Sequence, residues 1–527
     1  MLRALTSPRG MVTAPHHLAA QAGAAVLRDG GNAVEAMVAA ASTIAVVYPH
    51  MNSIGGDGFW LISQPGKAPV GIDACGRTAG LATLNFYAER GLASIPSRGP
   101  MAANTVAGAV SGWVAALHHA GGRLPVARLL EDAIGYARTG TPVTQSQVDY
   151  TGRFFDELAP QPGFANTFLC DGRAPQAHSL QRFPALAATL ERLAQHGLDD
   201  FYRGDLSHAM AAELARLGSP VRQDDLQRQH AAIVAPLAVD LSVGTVYNMP
   251  PPTQGLASLM ILAIFDRIRN GVRAETFAHA HGIVEATKQA FLVRNRHVCD
   301  PDAMRVPAAD FLQEATLAEC ARAIDAKRAR TWPEPAIKGD TVWMGAADRD
   351  GRMVSYIQSV YWEFGSGVVL EDTGINWQNR GASFSLDPAS HLALAPGRKP
   401  FHTLNPALAR LSDGREMVYG NMGGDGQPQS QAAVFSRYAM FGQDLQQAVS
   451  APRWLLGRTW GTMSVNLKIE SRFEPSLIAA LRDAGHDVDV VEAYSDLVGH
   501  AGALVRHPSG VIAGATDPRS DGAVAAA

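Results

Sequence analysis

Cysteine is scarce in this chain of 527 residues: Cys75, Cys170, Cys299 and Cys320 are the only four, and no two form a C-x-x-C pair. That speaks against a disulfide framework or a zinc ribbon. Lysine is nearly as rare, with six against 39 arginines, which reflects base composition and decides nothing about function. Charge of one sign is absent as well. Lys plus Arg is 45, Asp plus Glu is 49, and the net charge of −4 argues against a nucleic-acid or membrane-surface binder. The longest apolar run, residues 36–48, is interrupted by Ser42 and Thr43 and is too short to span a bilayer. The opening residues carry no uninterrupted apolar stretch of the signal-peptide kind, so the expected location is the cytoplasm. With 47% hydrophobic residues, the composition points to a large globular enzyme in a reducing compartment.

Helical spacing runs over residues 17–28 and ends at Gly30-Gly31. Asn32 with Glu35 then opens a second helix to about residue 48 with almost no polar face, which predicts burial between layers. Pro49 ends it, and Ile54-Gly55-Gly56-Asp57-Gly58 turns into a strand at 59–62. Residues 108–240 read as mostly helical. Met249-Pro250-Pro251-Pro252-Thr253 is a rigid break before helices at 256–270 and 279–298. Residues 322–340 are charged and aperiodic, an exposed linker. Strands follow at 341–347, 353–361, 366–370 and 416–419, helices at 443–450 and 475–484, and closing strands at 487–491, 503–506 and 511–514. Segregated strand and helix clusters indicate a layered α/β fold with antiparallel sheets. The alanine-rich end reads as a short low-complexity tail.

The common nucleotide, zinc-protease and serine-hydrolase motifs are missing. His16-His17, His118-His119 and His279-x-His281 suggest metal only weakly, because adjacent residues on a helix point to different faces. The informative junction is Lys338-Gly339-Asp340-Thr341-Val342. Cleavage before Thr341 would give that residue a free amine of pKa about 8, making it both nucleophile and base. A second feature is Gly420-Asn421-Met422-Gly423-Gly424-Asp425-Gly426, a glycine run after a strand that suits an oxyanion site. Taken alone, the threonine is equally the first residue of a strand and the glycine run an ordinary turn.

Together these residues resemble the γ-glutamyltransferase family of N-terminal-nucleophile hydrolases. The resemblance is carried by Gly30-Gly31-Asn32-Ala33-Val34-Glu35-Ala36, Pro49-His50, Ile54 to Phe59, Met249-Pro250-Pro251-Pro252-Thr253 with Gly255, Asp340-Thr341, Phe364-Gly365-Ser366-Gly367, Lys399-Pro400, Gly423-Gly424, Ala451-Pro452-Arg453 and Asp517-Pro518-Arg519-Ser520. It implies an αββα sandwich and a precursor that cuts itself into a large chain, 1–340, and a small chain, 341–527, held together as one domain. It implies Thr341 as nucleophile, Gly423 and Gly424 as oxyanion donors, and Ser359 in support of the hydroxyl. No cofactor or metal is implied; a homodimer of processed heterodimers is expected.

The departures narrow the substrate. Cys75 falls where the family has an arginine for the substrate α-carboxylate, with Arg77 two residues on as a possible substitute. Tyr361, Arg380 and Ser383 fall on the family's set for the α-ammonium, and His402 and Thr403 on two carboxylate-binding serines. An ammonium beside Arg380 with no acid would be repelled. A carboxylate-bearing amide without that ammonium fits better, because arginine offers a bidentate fork. Within the family the pattern is most similar to members acting on oxamate, as Pro49 to Asn52, the Trp60 strand and Asn379-Arg380-Gly381 suggest. The alternatives are a γ-glutamyl hydrolase or transpeptidase, a glutaryl β-lactam acylase, and, in a different class, an unprocessed scaffold that binds a small acid.

Overall fold

The computed structural model describes residues 3–332, 340–457 and 464–527, with Asp340 described in its backbone only. The cleavage-linker residues 333–339 lie outside them. Strand alternation builds the architecture. In order along the chain, fourteen strands form two seven-stranded sheets: β1 (Leu5–Ser7), β2 (Gly10–Ala14), β3 (Asp57–Ser63), β4 (Val70–Ala74), β5 (Ala232–Val234), β6 (Leu237–Leu241), β7 (Gly244–Asn248), β8 (Asp340–Asp348), β9 (Met353–Tyr361), β10 (Ala407–Leu411), β11 (Glu416–Asn421), β12 (Ala501–Arg506), β13 (Ile512–Thr516) and β14 (Ala523–Ala526). The first sheet runs β14-β2-β8-β9-β3-β4-β5 and the second β1-β13-β12-β11-β10-β7-β6. Every neighbouring pair in both sheets is antiparallel.

Along β8 the side chains divide by parity, as a pleat requires. Val342, Met344 and Ala346 join a core with helices α1 (His17–Arg28) and α2 (Ala33–Val47). Trp343 and Ala347 join a core between the sheets with Leu408, Val418 and Leu504. The second sheet packs its other face on α3 (Gly255–Ile268), α4 (Phe277–His297) and α5 (Gly426–Phe435). This is the expected αββα order, helices outside and two sheets within. The sheets meet closely where Trp343 covers Gly420: a Cβ there would lie 2.0 Å from the indole Cδ1.

Local signals explain the helices. Asn32 and Glu35 form a complete capping box, and every residue of α2 is buried. The structure corrects other expectations. The amino-terminal residues contribute β1 and β2. The alanine-rich end is β14, paired with β2 from Met11↔Ala526 to Ala14↔Ala523, so pairing prevailed over low complexity. The strand expected at 366–370 shrinks to Val369–Leu370. Strands β6, β7 and β10, and helix α5, carry no clear period in the sequence. The described part of the linker is exposed yet tethered, with Ala329 N–H donating to Ala484 O at 2.8 Å.

Candidate active site

Thr341 lies on the second residue of β8 and is 1% exposed. Asp340 pairs with Tyr361 but Val342 pairs with Gln358, so Ser359 and Val360 together oppose Thr341. This bulge bends the end of β9 and leaves Tyr361 at φ 85°. By the parity of β8, Thr341 shares the inter-sheet side with Trp343. Trp343 sits on Gly420, three residues before Gly423, which brings the end of β11 toward the start of β8. Ser359 Oγ accepts a hydrogen bond from Tyr361 N–H at 2.8 Å, and Ser359 pairs with Asp57 on β3.

Gly423 and Gly424 have φ of 116° and 51°, conformations that glycine adopts without steric cost. Their carbonyls accept from Gly426 and Gln427, which opens α5. This turn is held from behind. Gln254 Nε2 donates to Gly424 O at 2.8 Å and to Thr403 O at 2.7 Å. Its Oε1 accepts from Arg294 at 2.8 Å, and Arg294 forms a fully buried ion pair with Asp425 at 2.7 Å. Gln254 and Arg294 were not singled out in the sequence, whereas Asp425 stood within the glycine run. Gln254 adjoins the Pro-Pro-Pro-Thr segment, the only local hint of its position.

Beside Tyr361 stands Arg380, fully buried, its guanidinium 3.9 Å from the Tyr361 ring centroid. Nη1 donates to Thr403 Oγ1 at 3.4 Å, while Nε and Nη2 have no hydrogen-bond partner among the described residues. No carboxylate among the described residues lies within ion-pair distance of it. Burial lowers its pKa to about 10, against the pull of Tyr361, Asp57 and Cys75. Cys75 is buried in this group, its thiol pushed well up by burial and by Asp57 and Asp73. Ser383 is half-buried on the Arg380–Ser383 turn.

Asp57 completes the group. Its Oδ1 accepts from Gly76 N–H (2.9 Å), Gly108 N–H (3.0 Å) and Gln378 (3.1 Å), and its Oδ2 meets His402 Nε2 at 2.9 Å. Burial raises Asp57 to about 6, and burial with Arg380 holds His402 well below the usual range. Asp57 stood in the glycine-rich motif, which was the signal for it. Arg77 is not brought here. It is half-exposed, donates to Gly397 O at 2.8 Å and lies 3.9 Å from Asp302, so it stands at the surface.

Two donor sets are close enough to share a cation: Asp57, Cys75 and His402, and His281, Glu285 and His486. Neither suits one electrostatically. Arg380 adjoins the first, and in the second Lys288 already contacts Glu285 at 2.6 Å while His281 bonds His486 and Asp325 O.

The γ-glutamyltranspeptidase family matches residues 19–527. The chain belongs to this family. It is 57% identical over 523 residues to the oxamate amidohydrolase proenzyme of Klebsiella pneumoniae, with 98% of each chain covered. It is 39% identical over 529 residues to the glutathione hydrolase-like YwrD proenzyme of Bacillus subtilis, with 99% of each covered. Among solved structures, the cephalosporin acylase from Bacillus halodurans matches with a TM-score of 0.91 at 34% identity, over 100% of this chain and 97% of that one. The chain is thus a hydrolase of the γ-glutamyltranspeptidase family with its αββα fold. No helix among its described residues is long and apolar enough to cross a membrane.

Proposed function

We propose that this chain is a self-processed amidohydrolase that cleaves a small amide bearing a carboxylate, with oxamate as the leading substrate and oxalate plus ammonia as products. The observation that carries the reading is Arg380: a fully buried guanidinium with Nε and Nη2, the two donors of its side-on fork, left without partners among the described residues. A buried cation of this kind calls for an anion. Asp57, the acid whose charge acts on Arg380, already holds three N–H donors on Oδ1 and His402 on Oδ2, so it is committed within the group. A γ-glutamyl α-amino group is therefore disfavoured. The name of the Klebsiella relative agrees with this choice.

In the proposed chemistry, Thr341 Oγ attacks the Asp340 carbonyl carbon, the acyl group shifts from nitrogen to oxygen, and water cleaves the ester. The chain separates into residues 1–340 and 341–527. The freed Thr341 amine then takes the hydroxyl proton, and Oγ attacks the substrate amide carbon. Gly423 and Gly424 N–H groups hold the oxyanion, and Ser359 supports the hydroxyl. Collapse expels ammonia, which leaves with the proton from the amine, and water hydrolyses the acyl-enzyme. Arg380 and Thr403 anchor the carboxylate. Tyr361 and Cys75 close the pocket around it, and Ser383 borders it. The four cysteines are unpaired, which agrees with a cytoplasmic location.

A second reading, hydrolysis of a glutaryl amide, is favoured by the likeness to the Bacillus halodurans acylase, because a glutaryl group also brings a carboxylate without an ammonium. The test is a panel of oxamate, a glutaryl anilide and a γ-glutamyl anilide on freshly purified protein. Ammonia release from oxamate with little turnover of the anilides supports the first reading. Preferred turnover of the γ-glutamyl anilide overturns both.

A further inference from the structure

The hydrogen-bond accounting at His402 has a chemical consequence. Asp57 Oδ1 accepts from three N–H donors, which favour the ionised carboxylate against the effect of burial, and at neutral pH Oδ2 then serves as an acceptor. The proton between Asp57 Oδ2 and His402 Nε2, 2.9 Å apart, therefore sits on the imidazole. A neutral ring with its proton on Nε2 presents a bare lone pair at Nδ1. That nitrogen is buried and has no partner among the described residues. It belongs to the residue next to Thr403, which receives the Arg380 Nη1 hydrogen bond.

A lone pair repels a carboxylate. The charge of Arg380 acts on the His402 ring, so an anion drawn to the free edge of that guanidinium brings negative charge into the surroundings of this lone pair. We propose that binding of the substrate carboxylate takes up one proton onto the Asp57–His402 pair, converting His402 Nδ1 into a donor to the bound anion. The inference rests on the reading of Arg380 as the carboxylate site. His402 is then a binding residue, and Asp57 a positioning residue that fixes which nitrogen faces the ligand.

The surrounding charges favour this coupling. Facing the pair are Arg380 from the Arg380–Ser383 turn, Lys399 with its partner Asp73 at 2.6 Å, and the Cys75 thiol. In the free protein Arg380 and Lys399, added to burial, keep His402 neutral. A carboxylate on Arg380 neutralises that guanidinium and places a negative charge beside the imidazole, which removes one of the charges opposing protonation and adds one that favours it. Where the free pair lacks the proton and the complex holds it, the apparent dissociation constant rises roughly tenfold per pH unit. Glutamine at 402 would supply an amide N–H without a titration, and Asp57→Asn would remove the charge that fixes the ring.

The experiment is calorimetric titration of processed wild-type protein with oxalate, already fully ionised at neutral pH, in phosphate and in Tris at pH 7. Their different ionisation enthalpies report the protons exchanged. The expected result is uptake of about one proton for wild type and almost none for His402→Gln. Kinetics supply the second readout: KM for oxamate climbs with pH in wild type and His402→Gln loses that slope, while the rise of kcat with pH set by the Thr341 amine is shared by both. Oxalate binding with the same enthalpy in both buffers overturns the coupling and leaves the carboxylate site standing. Absence of oxalate binding to wild type, with Arg380→Met equally indifferent, overturns the site itself.

Discussion

Replacing Arg380 by methionine keeps most of the side-chain volume and removes the buried charge. The two unpartnered N–H groups, Nε and Nη2, form the fork that a carboxylate would fill. Hydrogen bonds to charged groups contribute about 1.5–3 kcal/mol each, so two amount to about 3–6 kcal/mol. That corresponds to a fall of roughly a hundred- to ten-thousand-fold in kcat/KM for oxamate. Stability should move the other way. Arg380 has no ion-pair contact among the described residues, so relief of its desolvation, worth up to several kcal/mol, outweighs the attraction that buried Asp57 loses. Against this stands the stacking on Tyr361 at 3.9 Å, worth about 0.5–2 kcal/mol. The melting temperature should therefore hold or rise while the protein still processes to two chains. The assays are ammonia release from oxamate and thermal unfolding of the same preparation. Activity within threefold of wild type would refute the carboxylate assignment. A melting temperature lowered by many degrees would show that the guanidinium is structural instead.

Other perturbations separate the remaining parts of the site. Thr341→Ala should stay a single 55.9 kDa chain on denaturing mass analysis and release no ammonia; appearance of two chains would place the nucleophile elsewhere. Gln254→Leu removes the donor shared by Gly424 O and Thr403 O. It should destabilise the protein by about 1–3 kcal/mol and lower kcat about 10- to 100-fold with a smaller change in KM. Unchanged kcat would mean that the glycine turn holds its shape unaided. Asp517 is fully buried between Arg453 and Arg519; burial pushes its carboxyl up, but the two guanidinium groups outweigh that and hold it at about 2. Its folded pKa is depressed, so its contribution of about 2 kcal/mol is present above pH 4 and lost as pH falls toward 2. Urea unfolding at pH 6 and pH 3 should show the loss in wild type and a smaller one in Asp517→Asn.

How much of this was legible beforehand differs by element. The helices over Ala33–Val47 and Phe277–His297, and the strand Met353–Tyr361, carry long unbroken patterns, and local preference agrees with their packing. The strand Ala523–Ala526 has no local preference of its own; only pairing with Gly10–Ala14 makes it a strand. Helix Gly426–Phe435 is buried on every side, so it shows no polar face to reveal its period. At the site, the sequence order of motifs placed Arg380, Tyr361, Thr403 and His402 together. It could not distinguish Arg77 from Cys75, because a separation of two residues decides whether a side chain enters the pocket or faces solvent. Nor could it show that Ala451-Pro452-Arg453 and Asp517-Pro518-Arg519-Ser520 are one device, with Arg453 Nη2 contacting Asp517 Oδ2 at 2.6 Å across the fold.

The strand orders bear on what a break between residues 340 and 341 separates. Read across the first sheet, β14, β8 and β9 come from the carboxy-terminal piece and β2, β3, β4 and β5 from the amino-terminal one, with β2 lying between β14 and β8. In the second sheet four strands of the later piece stand between β1 and β7. Each of the three large apolar clusters draws on both pieces. Neither piece thus has one of these large apolar interiors to itself, because their shared boundary runs through all three. Two processed variants, one defective in each piece, should remain inactive when mixed in solution, since swapping mates would require both molecules to unfold. In a cell carrying two alleles, every molecule would keep the pairing it was born with.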